Sequence, residues 1–265
     1  MSRKKDLLKP PSPPGGPGGF VARRGFLRLC AGMAAMVGAN PNVLAAPAGA
    51  KKKEQAHPRV LLVDKSGASI RAKDLRVGVN YVFPYPFAST PCFLLNLGKT
   101  VAGGQRLTTE DGRHYSWTGG VGSERSIVAF SAICAHRMTY PAQEVSFINY
   151  RHEATDFMDS QEQPAVAEQI IFCCSERSVY DATQGARVLG GPASQPLAAI
   201  LLDHDPETDV LFAVGAQGGT LFETFLDKFH QQLALEHRTD QVAAPVADRT
   251  TVLPLDEYTN NQILC

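Results

Sequence analysis

The chain has 265 residues, 44% of them apolar, with 26 Lys and Arg against 26 Asp and Glu. That is enough apolar material for one or two globular domains with a real core. The formal neutrality conceals an asymmetry. Residues 1–50 carry Arg3, Lys4, Lys5, Lys9, Arg23, Arg24 and Arg28 against Asp6 alone, so the remainder is acidic by six charges, which excludes a basic nucleic-acid surface.

The first stretch stands apart from any core. Residues 10–19 are Pro, Gly and Ser throughout and read as a disordered leader. Arg23-Arg24-Gly25-Phe26-Leu27-Arg28 then precedes an apolar run from Leu29 to Ala39 and small residues from Ala45 to Ala50. Basic, short apolar, small is the order of an export signal, and the paired arginines indicate the twin-arginine type. The run is shorter than the about 20 residues that span a bilayer. The expectation is a periplasmic protein, either cleaved or membrane-associated through a retained signal. The Lys51-Lys52-Lys53 run reads as a solvated linker.

From Arg59 the pattern is that of strands. Arg59–Asp64, Asn80–Pro84, Pro91–Asn96, His114–Trp117 and Ser126–Phe130 are short apolar or alternating runs with turn residues between them. Cys92 sits within such a run and reads as a buried structural thiol, and Trp117 as core. Val145–Tyr150 is a further strand, Arg151–Glu168 a polar insertion with His152 at its edge. Leu197–Asp203 and Val210–Val214 form a closing hairpin. Thr220 opens the one convincing helix: Thr220 and Glu223 form a capping box, and Leu221, Phe225, Phe229 and Leu233 share a face expected to pack on the β domain. Residues 238–265 lose periodicity and read as an extended or disordered tail, with Cys265 incidental. The organisation is thus a 1–50 leader, a 51–219 β domain, a 220–237 helix and a 238–265 tail.

Two loops carry the chemistry. Ile133-Cys134-Ala135-His136-Arg137 places a thiol and an imidazole two residues apart. Cys173-Cys174-Ser175-Glu176-Arg177-Ser178-Val179-Tyr180-Asp181 supplies two more thiols, then a hydroxyl and a phenol, and Gly190-Gly191-Pro192-Ala193-Ser194-Gln195-Pro196-Leu197 follows as a turn. Thiolates and imidazoles are iron ligands, and hydroxyl groups can donate hydrogen bonds to bound sulfur.

This pair of loops resembles the cluster-binding region of Rieske iron–sulfur proteins. Cys134-x-His136, Ser178-x-Tyr180-Asp181 and Gly191-Pro192-Ala193 match that family's pattern position by position, across roughly residues 125–215. The resemblance implies an all-β fold: a Rieske-like antiparallel β sandwich with an inserted cluster-binding subdomain (loops 132–140 and 172–197) and one C-terminal helix. It also implies a 2Fe-2S cluster, with Cys134, His136 and a second-loop cysteine as metal ligands, and with Ser178, Tyr180 and Pro192 around it.

The second loop departs from the family's Cys-x-x-His. Counting back from Ser178 makes Cys173 the ligand and puts Glu176 in the histidine's place. Ser175 and Thr139 then occupy the positions that form a disulfide in quinol-oxidising members. A one-residue deletion would make Cys174 the ligand and Arg177 the replacement. Neither register supplies a second imidazole; the fourth ligand is then the Glu176 carboxylate or the adjacent cysteine. Arg177 would stay protonated and repel iron.

Replacing two thiolates by histidines on one iron raises the reduction potential from about −400 mV to between about −150 and +300 mV, so the family's members are relatively oxidising one-electron carriers. Three functions follow: an electron-transfer subunit of a respiratory or quinol-linked oxidoreductase, a Rieske-fold structural subunit that has lost its cluster, and a redox dithiol or mononuclear metal site. The resemblance implies a redox partner protein or membrane respiratory complex, with quinol a candidate donor and nucleic acid none.

Overall fold

The computed structural model of the chain describes residues 57–265; the paired arginines and the rest of the leader lie outside the described residues. In chain order its elements are β1 (Val60–Val63), β2 (Tyr81–Pro84), β3 (Pro91–Asn96), β4 (Arg106–Thr108), β5 (His114–Ser116), β6 (Ile127–Ser131), β7 (Ile148–Arg151), β8 (Thr155–Met158), β9 (Pro164–Ala167), β10 (Ile170–Cys173), β11 (Ser178–Asp181), β12 (Arg187–Gly190), β13 (Ala199–Asp205), β14 (Val210–Gln217), α1 (Leu221–His237), β15 (Arg249–Thr251), β16 (Leu253–Pro254) and α2 (Leu255–Tyr258). The fold is all-β, as expected.

The apolar run Pro91-Cys92-Phe93-Leu94-Leu95 explains the architecture. A strand apolar at every position must be covered on both faces, and β3 is buried along that whole run. It sits inside an eight-stranded sheet, order β15-β1-β14-β13-β6-β3-β2-β16, antiparallel except for the β1–β15 pair. Cys92 and Leu94 point into one core, which α1 closes with Leu221, Phe225 and Leu233. Phe93 and Leu95 point into the other, which holds Ile148, Ile171, Cys134, Cys173 and Tyr180. Each such large side chain contributes about 1.5–3 kcal/mol of apolar burial.

The second core is closed by a four-stranded sheet, order β12-β11-β10-β7. All four strands fall between β6 and β13 in the chain, so this subdomain is an insertion into the larger sheet. Cys92 is fully buried and its thiol donates to the Tyr85 carbonyl at 2.9 Å. Trp117 packs against Phe130, ring centroids 5.8 Å apart.

Three readings of the sequence are corrected. The polar insertion at 151–168 contains a hairpin, β8 pairing with β9; its alternation is masked because Asp156, Met158, Pro164 and Val166 are all exposed. Thr220 makes no side-chain cap on α1. At the other end the helix stops with Arg238 in the left-handed region (φ 52), its N–H bonded to the Ala234 carbonyl. The tail at 238–265 is built into the fold: β15 lies parallel to β1, β16 pairs with β2, and Cys265 forms a disulfide with Cys174. Its order comes from edge-strand pairing, the disulfide and scattered apolar anchors, Val242, Val252 and Leu255, whose irregular spacing leaves no hydrophobic period.

Candidate metal centre

The first loop leaves β6 at Ser131 and turns back on itself. The Cys134 N–H donates to the Thr139 carbonyl at 2.8 Å, and the Met138 N–H to the Cys134 carbonyl at 2.9 Å. Met138 takes a left-handed conformation (φ 64) to close it. Cys134 and Ala135 are thereby turned into the second core, and Ile133 into the first.

The second loop is the tip of the β10–β11 hairpin, where Cys173 stands opposite Ser178. Four residues, Cys174 to Arg177, make the turn, and Arg177 adopts φ 58. The proline turn lies on its back. A Cβ on Gly191 (φ 78) would stand 2.3 Å from the Arg177 carbonyl oxygen and 2.7 Å from the Ser178 Cα, so only glycine allows this approach. Pro192 is exposed beside it. The Gln195 side chain, accepting from the Glu110 N–H at 2.9 Å, pins the turn to the loop after β4.

The two loops bring Cys134 and Cys173 together. Both are fully buried, and the two thiols share a hydrogen bond. That bond, helped by the Tyr180 hydroxyl and the His136 N–H, draws the Cys134 thiol below its ordinary range despite its burial. The same bond and burial push the Cys173 thiol up, although the Glu176 and Ser175 N–H groups face its sulfur. The one contact thus drives the two thiols in opposite directions.

Tyr180 is also fully buried, and burial pushes its phenol well up, so it remains a donor. Its hydroxyl stands 3.2 Å from the Cys134 sulfur and accepts the Ala135 N–H at 3.1 Å. Ser178 makes no hydrogen bond of ordinary geometry: its Oγ is buried without a partner, although it faces the Cys134 sulfur closely enough to favour its charged form. Asp181 serves the backbone, accepting from the Thr183 N–H at 3.0 Å where the chain turns after β11.

The remaining sequence-derived ligands stand at the edge of this pair. His136 is half-buried, and its Nδ1 is buried with no hydrogen-bond partner. Glu176 forms an ion pair with Arg137 across the two loops, 3.5 Å apart. Cys174 is turned away from the pair and bonded to Cys265, Cα atoms 5.7 Å apart. This overturns the register that made Cys174 the ligand, and with it the idea of two adjacent second-loop thiolates. The hairpin pairing places Cys173 inward, so Cys174, its neighbour on the strand, points to the opposite side. His152 is engaged by the Tyr150 hydroxyl at 3.1 Å.

Among the described residues no three His, Cys, Asp or Glu side chains converge closely enough to hold one metal ion. The donors are a thiol pair with an imidazole and a carboxylate on the flanking loops. Sequence reasoning missed Arg137 as the partner of Glu176 and Cys265 as the partner of Cys174. The second had a signal: the Cys173-Cys174 pair offers one thiol more than a ligand position needs.

No family model matches the chain. Among solved structures, the soluble domain of the Rieske protein II from Sulfolobus acidocaldarius is similar, at 23% sequence identity, with 60% of this chain and 78% of that chain covered and a TM-score of 0.40. The likeness is too distant to define the site, and the functional reading rests on the residues themselves.

Proposed function

We propose that the chain is a one-electron carrier of the Rieske type, with a 2Fe-2S cluster bound between the two loops. The supporting observation is a set of buried groups whose needs are unmet. The Ser178 hydroxyl and the His136 Nδ1 are both buried without partners, beside the buried thiols of Cys134 and Cys173. A buried polar group left unsatisfied costs about 1–3 kcal/mol, and such groups gathered at one place point to something that satisfies them.

The donor set fits such a cluster. Cys134 and Cys173 would hold one iron, His136 and Glu176 the other. When bound, the group supplies one-electron redox chemistry at a potential set by its ligands and their hydrogen bonds. The chain's own residues set that potential. The Tyr180 hydroxyl, the Ser178 hydroxyl and the His136 N–H are directed at the Cys134 sulfur, which favours the more negative, reduced state. Glu176 in place of an imidazole adds negative charge and lowers the potential, and Arg137 offsets part of that charge.

Its partner would be a redox protein or a membrane respiratory complex, with quinol a candidate electron source at the half-buried His136 edge. Export is part of this proposal. Arg23-Arg24 motivate it, and a disulfide between Cys174 and Cys265 belongs to an oxidising compartment. No described helix is long and apolar enough to cross a membrane.

The alternative is a Rieske-fold structural subunit without a cluster. The Glu176–Arg137 ion pair favours it, since a carboxylate already paired has less need of iron. Iron and acid-labile sulfide analysis of anaerobically purified protein, with electron paramagnetic resonance after reduction, separates the two.

A further inference from the structure

We propose that the Cys174–Cys265 disulfide is a thiol–disulfide exchange site, a reversible clasp that fastens a C-terminal strap to the second loop and to the segment after the first. It does not depend on the presence of a cluster.

The strap runs alongside the segment that follows the first loop. The Asn260 N–H donates to the Gln143 carbonyl (2.8 Å), the Ser146 N–H to the Asn261 carbonyl (2.8 Å) and the Ile263 N–H to the Ser146 carbonyl (2.9 Å). Side-chain amides add Asn149 to the Ile263 carbonyl (2.9 Å) and Asn261 to the Glu144 carbonyl (3.0 Å). Cys265 is then bonded to the second loop through Cys174, on the face of the hairpin opposite the Cys173 thiol. One bond thus ties the strap, already hydrogen-bonded to the first-loop side, onto the hairpin tip. Apart from that bond, the strap is held by a few hydrogen bonds at the surface, and its own apolar side chains are exposed, Ile263 at 39% and Leu264 at 63%. Such a segment lies at the low end of local stability.

The bond's surroundings suit exchange. Cys265 is exposed and Cys174 half-buried, whereas Cys92, Cys134 and Cys173 are fully buried. The Arg151 guanidinium donates to the Cys174 sulfur at 3.8 Å, and the Cys265 N–H approaches that same sulfur at 3.0 Å. Among the described residues Arg151 has no carboxylate within ion-pair distance, so its charge is directed at sulfur. The Ile263 carbonyl faces the same sulfur at 3.3 Å, but the full charge of Arg151 together with the Cys265 N–H outweighs that neutral dipole, so Cys174 is the better leaving group. The step is then defined. A thiolate of an external dithiol attacks the exposed Cys265 sulfur, a mixed disulfide forms there, and the bond to Cys174 breaks with Cys174 leaving as thiolate. The reductant's second thiol attacks its own sulfur in the mixed disulfide. It becomes a cyclic disulfide, and Cys265 is released as a thiol.

The test uses the purified full chain. Anaerobic titration with dithiothreitol, followed by alkylation and mass spectrometry, is expected to label Cys174 and Cys265 together while Cys92, Cys134 and Cys173 stay unlabelled. With glutathione as a monothiol trap, the adduct is expected on Cys265. Backbone hydrogen exchange across 143–149 and 260–263 is expected to accelerate at least about tenfold on reduction, with β3 and β6 unchanged. Arg151→Leu is expected to slow reduction by on the order of threefold. Cys265→Ser, which cannot form the clasp, is expected to show the exchange pattern of the reduced wild type. Reduction only after the chain unfolds, with all five described cysteines labelling at once, would overturn the proposal. So would an adduct on Cys174, or hydrogen exchange that reduction leaves unchanged.

Discussion

Replacing Tyr180 by Phe keeps the ring in the second core and removes one oxygen. Two contacts go with it: the hydroxyl 3.2 Å from the Cys134 sulfur and the bond from the Ala135 N–H at 3.1 Å. Ala135 is only 4% exposed, so its N–H is left buried and unsatisfied, at about 1–3 kcal/mol. At about 2–4 °C per kcal/mol for a folded unit of this size, the melting temperature of the metal-free protein should fall by roughly 2–12 °C. In the loaded protein the same hydroxyl stabilises the reduced state. A difference of about 1 kcal/mol between oxidation states, for a one-electron couple, lowers the midpoint by about 40 mV. Thermal unfolding of the metal-free variant and a redox titration of the loaded one read the two effects separately. A Phe variant that melts and titrates like the wild type would refute the reasoning.

Other perturbations test other parts of the account. Glu176→His should raise the midpoint potential, by on the order of 100 mV, by exchanging a carboxylate for an imidazole; a lowered potential would contradict Glu176 as the fourth ligand. Gly191→Ala forces a side chain into the left-handed region against the Arg177 carbonyl, and its urea midpoint should fall by the equivalent of at least about 2 kcal/mol. Arg23→Lys with Arg24→Lys should leave the precursor in the cytoplasm, read by fractionation; export at the normal rate would reject the twin-arginine assignment.

What the sequence disclosed follows from what kind of force orders each part. The run at 91–95 announces a strand covered on both faces, because apolar burial is written in side chains. α1 is equally visible in the spacing of Leu221, Phe225 and Leu233. The β8–β9 hairpin is held by backbone pairing at an exposed edge, and the tail by such pairing with scattered buried anchors such as Val242 and Val252, so neither shows a period. At the site, the resemblance of the two loops singled out Cys134, His136, Ser178 and Tyr180, and the fold sets the Tyr180 hydroxyl 3.2 Å from the Cys134 sulfur. The choice between Cys173 and Cys174 was not, because alternation along β10 decides it: Cys173 faces Cys134, and Cys174 faces Cys265.

The central claim is that the buried thiol pair of Cys134 and Cys173, with His136 and Glu176, holds a cluster. Iron and acid-labile sulfide should be measured on protein purified anaerobically after export, in the wild type and in Cys134→Ser. The account predicts about two of each per wild-type chain, a red-brown colour and a paramagnetic signal on reduction, all lost in the variant. A wild-type protein prepared that way, folded but free of both iron and sulfide, would contradict it.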